Sequence, residues 1–500
     1  MKIPIQVQSV IKQLKQSGYE AYIVGGCVRD MLRNIEPQDW DIATNAKPKE
    51  IEKLFLYPPK FSDGKFGWVK SFSNNKFGTA TILTGSKNLK LKEIEITPYR
   101  IDEQYTDKRH PDKIKWVKTI EEDLARRDFT INAIAIEEAK KLKIIDIFKG
   151  QEDLKNKVIR AVGKAEDRFS EDALRMLRAI RFVVTLSPKI WRLEEKTNQA
   201  IEKNAHFLQF ISKERIRDEL MKIIASENGA KGIEILRRIG LLKYIIPELE
   251  EGFAVGQNKH HIYQIYQHNL LSLNYACQKN FSKYVRLAAL LHDIGKPRTK
   301  GGEGVDSTFY NHEIVGAKMT YQILIRLKFP KKDIEKVVRL VRYHLFYYNV
   351  GEVGDSSVRR LLRKVGQENI EELLELRYCD RIGSSVPKAE PYKLRHLKYL
   401  FEKVSQDPIS VRTLKMSGND IMDILAIKPG QKIGQILYCL LGQVLADPDK
   451  NNKKYLKEEI KKLGKLSDKK LADLTALARD YTEKIETKKD EMTKKKYWVG

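Results

Sequence analysis

Ala21–Ala43, AYIVGGCVRDMLRNIEPQDWDIA, decides how the rest of this 500-residue chain is read. Ala21 to Val24 is a short apolar run of the kind a buried strand shows. Gly25-Gly26 then lets the backbone turn tightly with its amides open to an anion, for which a phosphate is the natural guest, and Arg29-Asp30 follows at a helix start. Asp39 and Asp41 alternate with Trp40 and Ile42, so a period of two puts both carboxylates on one face and both apolar side chains in the core. Paired carboxylates suit Mg2+, a hard cation that takes oxygen ligands and bridges substrate phosphates. A diglycine alone is usually a turn, and a DxD alone a solvated acidic pair; their combination in this order points to nucleotidyl transfer.

GGCVRD followed by DWD resembles the head of the class II tRNA nucleotidyltransferase and bacterial poly(A) polymerase family. The resemblance implies an α+β fold that is mostly α: a polymerase-β-like mixed-sheet head, a helical neck, a helical HD domain and a helical tail. It further implies that Asp39 and Asp41 hold Mg2+ and that Gly25, Gly26 and Arg29 hold a nucleoside triphosphate.

Five hundred residues suggest three or four domains at ~150 residues each. Lys and Arg number 93 against 67 Asp and Glu, a net charge of +26, which favours a polyanionic partner such as nucleic acid. The chain has no apolar run near the ~20 residues of a membrane span. Cys27, Cys277, Cys379 and Cys439 stand far apart without a CxxC pair, and the amino terminus lacks an apolar signal core. A reducing cytoplasm is therefore expected, without disulfides or zinc ribbons.

Along the head, Val7, Val10, Ile11 and Leu14 predict an amphipathic helix, Pro48 opens a helix through Leu56, and residues 61–85 read as hairpin strands. Lys76 to Thr79 looks like the family's strand turn. Glu95 lies between Ile94 and Ile96 on a polar strand face and is a candidate third catalytic acid. Arg100 to Val117 has neither period and reads as a long loop. In the resembling family a flexible loop here serves addition of the final A. Arg126 and Arg127 offer planar forks to phosphate, Asp128 can accept from a ribose hydroxyl, and Asn132 follows in RRDFTINAIAI. That run resembles the family's sugar-recognition motif, and DIFKGQEDL from Asp146 its next one.

The texture then turns helical. Ser170 is a candidate N-cap, with Ala173, Leu177, Ile180 and Val184 as the buried stripe. Asp172 and Arg175 are three apart and either form an ordinary salt bridge or present a carboxylate and a guanidinium to a base. EDALR matches the family's EDxxR, which implies that these two select C or A without a template. Arg178 and Arg181 extend the basic face as further nucleotide-binding candidates. In KERIRDEL, Arg215 and Glu219 are read as braces of the neck helices.

Six of the nine histidines fall between His260 and His344. His268, His292, His312 and His344 sit in helical contexts, joined by Asp293 and the later Asp380. Imidazole and carboxylate suit a divalent transition metal, and an Asp beside a His can bridge two. The order H, HD, H, H, D resembles the HD metal-dependent phosphohydrolase superfamily. It implies a quartet of His268, His292, Asp293 and Asp380, with His312 and His344 completing a second metal site. Further on, GND and KPGQKIG resemble turns of the family's tRNA-facing tail, and the Lys-rich end reads as solvated helices with phosphate contacts.

The expected domains are 1–150 nucleotidyltransferase head, 151–250 neck, 251–385 HD domain and 386–500 tail. The implied partners are tRNA, CTP and ATP, and the implied reaction is addition of C, C and A to the tRNA 3′ end. A poly(A) polymerase or a CC-only or A-only enzyme fits the same motifs. An RNA-repair phosphohydrolase with a docking head is the alternative of another class.

Overall fold

The computed structural model describes residues 2–55, 69–71, 78–103, 113–138, 142–257, 262–405 and 410–499. Two compact units divide the chain: Met1–Leu345 with Glu375–Pro387, and Phe346–Leu374 with Lys388–Gly500.

The first unit begins with a seven-stranded mixed sheet. Its strands are β1 (Ala21–Val24), β2 (Asp41–Thr44), β3 (Val69–Ser71), β4 (Ala80–Leu83) and β5 (Glu93–Pro98). A separate pair, β6 (Arg100–Glu103) and β7 (Lys113–Trp116), precedes β8 (Ala135–Glu137) and β9 (Lys143–Ile145). The sheet order is β3-β4-β5-β2-β1-β8-β9. β1 runs antiparallel to β2 with Val24 opposite Asp41, and β2 runs parallel to β5 with Asp41 opposite Glu95. Helix Ile5–Gln16 buries Val7, Val10, Ile11 and Leu14 in the same core as Ile23, Ile42, Ile94 and Ile96. The helical period of those four residues is what fits one stripe to a flat apolar face.

Two local expectations change, and a third lies partly outside the described residues. Arg100–Val117 is not loop throughout, because its two ends pair as β6 and β7 with Arg100 opposite Trp116. The charged side chains hid a strand pair whose stability comes from the ladder. The predicted helix at Pro48 runs Pro48–Phe55, while Leu56, the turn Lys76-Phe77 and much of the 61–85 stretch lie outside the described residues. Ser170 is no N-cap: it lies inside helix Ala165–Glu171, and the chain breaks at Asp172, whose Oδ1 accepts from the Leu174 amide at 3.1 Å. Asp172 itself thus starts helix Leu174–Thr185, a role a short acid performs well.

That helix buries Ala173, Leu177, Ile180 and Val184, and packs against Lys213–Ile224. Helices Ile265–Gln278, Lys283–Leu291, His312–Arg326 and Lys331–Tyr343 continue the first unit, joined by the 375–383 part of Ile370–Gly383.

The second unit is helical. Gly418–Leu425 opens on a capping box of Ser417 with Asp420, and Asn452 caps Lys453–Gly464. Together with Gln431–Ala446 they enclose Ile421, Ile436, Leu440, Leu456 and Ile460, and Leu471 of Asp468–Tyr497 joins them. The Lys-rich end is therefore a helical pair, as its charge pattern suggested.

Candidate functional site

Three carboxylates meet at the head's sheet. Parallel register sets Glu95 beside Asp41, whereas Asp39 lies in the bend just before β2. The period-two reading placed Trp40 and Ile42 correctly in the core, but the strand proper starts only at Asp41. Burial and the nearby Asp39, with Glu95 adding and Arg127 opposing, push the Asp41 carboxyl up to about 7. Glu95 is raised too, by burial and then by Asp39 and Glu93. Such mutual repulsion is what a bound cation relieves. These acids could hold a divalent cation that takes oxygen ligands and shares substrate phosphates.

Gly25 sits at φ +79°, and a Cβ there would stand 3.0 Å from Arg127 Nη1 and 3.3 Å from Asp41 Oδ2. The diglycine thus lets backbone approach both the acid and a cation. Arg29 forks onto Asp30 at 2.9 Å and reaches Asn132 Oδ1 at 3.0 Å, while Gly26 lies against its guanidinium.

The RRD segment has internal partners for each of its charges. A capping box of Thr119 and Glu122 starts helix Ile120–Ala125, which carries a fully buried Asp123. Arg126 grips Asp123 Oδ1 at 2.7 Å and Arg127 its Oδ2 at 3.1 Å. Burial would raise the Asp123 carboxyl, but the two guanidiniums outweigh it and hold it low. Sequence reasoning missed Asp123, although its i+3 and i+4 spacing to the arginines was visible. Asp128 is buried and occupied on both oxygens: Oδ1 accepts from Asn132 at 3.1 Å and the Phe129 amide at 2.8 Å, and Arg178 Nε donates to Oδ2 at 2.8 Å. Burial pushes its pKa up, but Arg178 and Asn132 prevail and keep it well below the usual range.

Arg178 and Arg181 do not form an open basic face. Arg178 pairs with Asp128, and Arg181 lies 3.0 Å from Glu219 of helix Lys213–Ile224 with its guanidinium 4.3 Å from the Phe182 ring centre. Nor do Asp172 and Arg175 pair with each other. Arg215 forks onto Asp172 at 3.2 and 2.7 Å; Arg175 meets Glu171 at 2.5 Å and the Arg126 carbonyl at 3.1 Å. Arg215 and Glu219 do brace the neck, each through an ion pair to the EDALR helix rather than to one another.

The second cluster gathers every histidine and aspartate expected of it. His268, His292 and Asp380 form one group of ligand atoms within 4.8 Å, and Asp293, His312 and His344 another. Asp293 faces both: Oδ2 lies 3.3 Å from His268 Nε2, and Oδ1 lies 3.3 Å from His312 Nε2 and 3.6 Å from His344 Nε2. The Nδ1 atoms of His292, His312 and His344 lie 2.9, 2.8 and 2.7 Å from the carbonyls of Ala289, Phe309 and Val341. Donation of Nδ1–H there turns each bare Nε2 inward, the tautomer a metal ligand needs. Such a donor set would hold divalent metal ions, with Asp293 offering one carboxylate oxygen to each group.

Gly295 permits this geometry, because a Cβ would meet the His312 carbonyl at 2.3 Å and the Gly316 amide at 2.5 Å. Two further cations escaped the sequence reading. Lys296 reaches Asp293 at 2.6 Å and Arg377 reaches Asp380 at 2.6 Å. Lys296 stands three residues after Asp293 and Arg377 three before Asp380, a spacing that could have flagged both. A cavity of about 510 Å³ opens above Asp293, His312, His344 and Asp380.

The arrangement defines a nucleotidyltransferase-type head followed by a helical HD centre. Family models agree in order: a poly A polymerase head domain over residues 21–160, a probable RNA and SrmB-binding site of polymerase A over 192–253, and an HD domain over 265–383. An A-adding tRNA nucleotidyltransferase of Deinococcus radiodurans is 32% identical over 435 residues, covering 84% of this chain and 90% of that protein. A CCA-adding enzyme of Ligilactobacillus salivarius is 32% identical over 467 residues, covering 91% and 95%. The crystal structure of the Bacillus stearothermophilus CCA-adding enzyme in complex with CTP matches with a TM-score of 0.56 at 26% identity, covering 92% of this chain and 98% of that one. The chain belongs to the tRNA nucleotidyltransferase family whose members carry the poly(A)-polymerase-type head. Among the described residues, no helix is long and apolar enough to cross a membrane.

Proposed function

We propose that the chain adds C, C and A to the 3′ end of tRNA from CTP and ATP, without a nucleic-acid template, in the cytoplasm. The tRNA 3′-hydroxyl attacks the α-phosphorus, the new O3′–P bond forms, and pyrophosphate leaves. Asp39 and Asp41, with Glu95 alongside, would hold Mg2+, which when bound neutralises charge on the phosphates. Gly25, Gly26 and Arg29 accommodate the triphosphate. Arg126, Arg127, Asp128 and Asn132 frame its sugar, with ribose recognition requiring one of the donors on Asp128 to yield. Asp172 and Arg175 read the base, and Arg178 and Arg181 support them.

The observation carrying this reading is that Arg175, at the start of the neck helix, donates to the Arg126 carbonyl at 3.1 Å. Base-reading and sugar-phosphate motifs are thereby joined in one structure. Functional segments of 1–150, 151–250, 251–385 and 386–500 follow as head, neck, HD domain and tRNA-binding tail.

Three tRNA transcripts, ending before the first C, the second C and the A, test it with CTP, ATP or both. Each should stop at the same final length. The A-adding Deinococcus relative favours a second reading, and extension of the CC-ended transcript alone would establish it. Unlimited A addition would establish a poly(A) polymerase instead. Asp41→Ala should abolish addition and leave tRNA binding intact; normal turnover would overturn the site.

The HD cluster supports a second activity, hydrolysis of a phosphoester blocking a damaged tRNA 3′ end. His268, His292, Asp293 and Asp380, with His312 and His344, would hold the transition metals, which when bound lower the pKa of water toward neutrality. Lys296 and Arg377 place positive charge at the cavity for the phosphoryl oxygens. Phosphoesterase activity of the Asp41→Ala enzyme that survives complete metal removal would refute this.

A further inference from the structure

Phe182, on helix Leu174–Thr185, is buried, and its ring is the common neighbour of three cations. The guanidinium carbons of Arg181, Arg29 and Arg178 lie 4.3, 5.4 and 5.6 Å from its centre. They come from two places in the chain: Arg29 from GGCVRD on the head, Arg178 and Arg181 from the helix turn that precedes the ring. Phe129, which directly follows Asp128, meets the same ring in a T-shaped contact, 5.6 Å between centres and 84° between planes.

Each arginine also has a carboxylate, Asp30 for Arg29, Asp128 for Arg178 and Glu219 for Arg181. These pairs offset charge without all fixing direction. Arg181 Nε and Glu219 Oε2 lie 3.0 Å apart, and both are buried without a hydrogen-bond partner among the described residues. The pair is close but misaligned, which leaves the ring at 4.3 Å to set where this guanidinium sits. Burial lowers the Arg181 pKa, Glu219 opposing it and Arg178 and Arg29 adding to it, so the three cations feel one another. The face of an aromatic ring is negative, and a desolvated cation gains more from it than an exposed one. A leucine would fill much of the same space and offer none of that attraction.

We infer that Phe182 is a positioning residue for nucleotide addition: its ring holds the triphosphate-binding Arg29 of the head in register with Arg178 and Arg181 of the neck. The distance between the phosphate grip and the base-reading helix is thereby set. This rests on the nucleotide-binding roles proposed above for those arginines, since Phe182 acts through them and not on substrate. The three cations repel, and their carboxylates stand on three different segments, so without the ring each arginine would follow its own acid. One such cation–ring contact amounts to roughly two- to thirty-fold in an equilibrium constant.

The test puts mono-, di- and trifluorinated phenylalanine in place of Phe182 in the full chain. Fluorine withdraws negative charge from the ring face and leaves a ring of nearly the same shape in the core. With tRNA and Mg2+ saturating, KM for CTP and for ATP should climb with each added fluorine, reaching about ten-fold for the trifluorinated ring and for Phe182→Leu. The kcat, the circular dichroism and the thermal midpoint of the fluorinated chains should change little, as expected when binding alone is weakened. In an Arg29→Ala background the climb should flatten, because one of the cations that the ring serves is gone. KM values indifferent to fluorine, with Phe182→Leu lowering only the thermal midpoint, would overturn the proposal and leave the ring a packing residue. Should Phe182→Leu not fold, the fluorinated series, which keeps the ring, still decides. Failure of the unmodified chain to transfer CMP or AMP to any tRNA transcript would refute the proposed function instead. Calorimetric binding of CTP across the same series then carries the comparison, a stepwise loss of affinity supporting the role of the ring and a constant affinity refuting it.

Discussion

Both oxygens of Asp128 are engaged inside the protein, Asn132 and the Phe129 amide on one and Arg178 on the other. Its folded pKa therefore lies below the ordinary 3.8, and the unfolded chain takes up a proton first as pH falls. The stability from this carboxylate is fully present above about pH 4 and is lost progressively below it. Chemical denaturation of Asp128→Asn against wild type should show a deficit of about 1–3 kcal/mol at neutral pH, Arg178 being partly exposed to solvent screening, and this deficit should shrink as the pH is lowered through 3. Gly25 makes a second case at this scale. An added methyl would strain a left-handed backbone by about 1–2 kcal/mol and press on Arg127 and Asp41. Gly25→Ala should retain its fold by circular dichroism and lose most nucleotide addition.

Between elements, what matters is how the EDALR helix is fixed to its neighbours. Arg215, on helix Lys213–Ile224, holds Asp172, and Glu171 holds Arg175. A bidentate pair reading a base edge is worth about 1–3 kcal/mol of discrimination. Arg175→Ala should therefore blur the choice among CTP, ATP and UTP by about ten-fold or more, with a smaller change in triphosphate affinity. Arg215→Ala should act in the same direction and more weakly, since it frees Asp172 without removing it; both are read by competitive incorporation. A structural role alone would lower all incorporation equally. In the HD centre the crossing of the His292-Asp293 turn with helix His312–Arg326 depends on Gly295. Gly295→Ala should separate Asp293 from His312 and reduce the bound metal measured by elemental analysis, while nucleotide addition continues.

For the whole molecule, a net charge of +26 sets the terms of tRNA binding. Association with a polyanion releases counterions, so affinity should fall log-linearly with salt. Lys488, Lys489 and Lys495 are exposed on helix Asp468–Tyr497. Replacing all three by Gln should weaken binding at low salt and flatten the salt slope by about one unit for each phosphate that is no longer neutralised. An unchanged slope would place the phosphate-binding cations elsewhere. The head chemistry, assayed on saturating tRNA, should be unaffected.

Much of this was legible along the chain because its causes are local. A four-residue apolar run, a diglycine and alternation around Asp41 are enough to place a strand, a turn and a buried side, and 3.6-residue spacing revealed the neck stripe from Ala173 to Val184. The order of histidines and aspartates resembles that of the HD superfamily, and it was this resemblance that named all six ligand candidates of the HD centre. Pairing across long separations was not legible. Asp123 clamping two arginines, Arg215 taking Asp172 from Arg175, and Arg178 closing on Asp128 are choices among competing ion pairs, settled by which helices pack together. The strand pair at Arg100–Trp116 was hidden for the same reason, because a ladder between charged segments leaves no period in either. Sequence alone determined the inventory of chemistry and its family; tertiary structure decided which charges neutralise one another, and so which remain to meet a nucleotide.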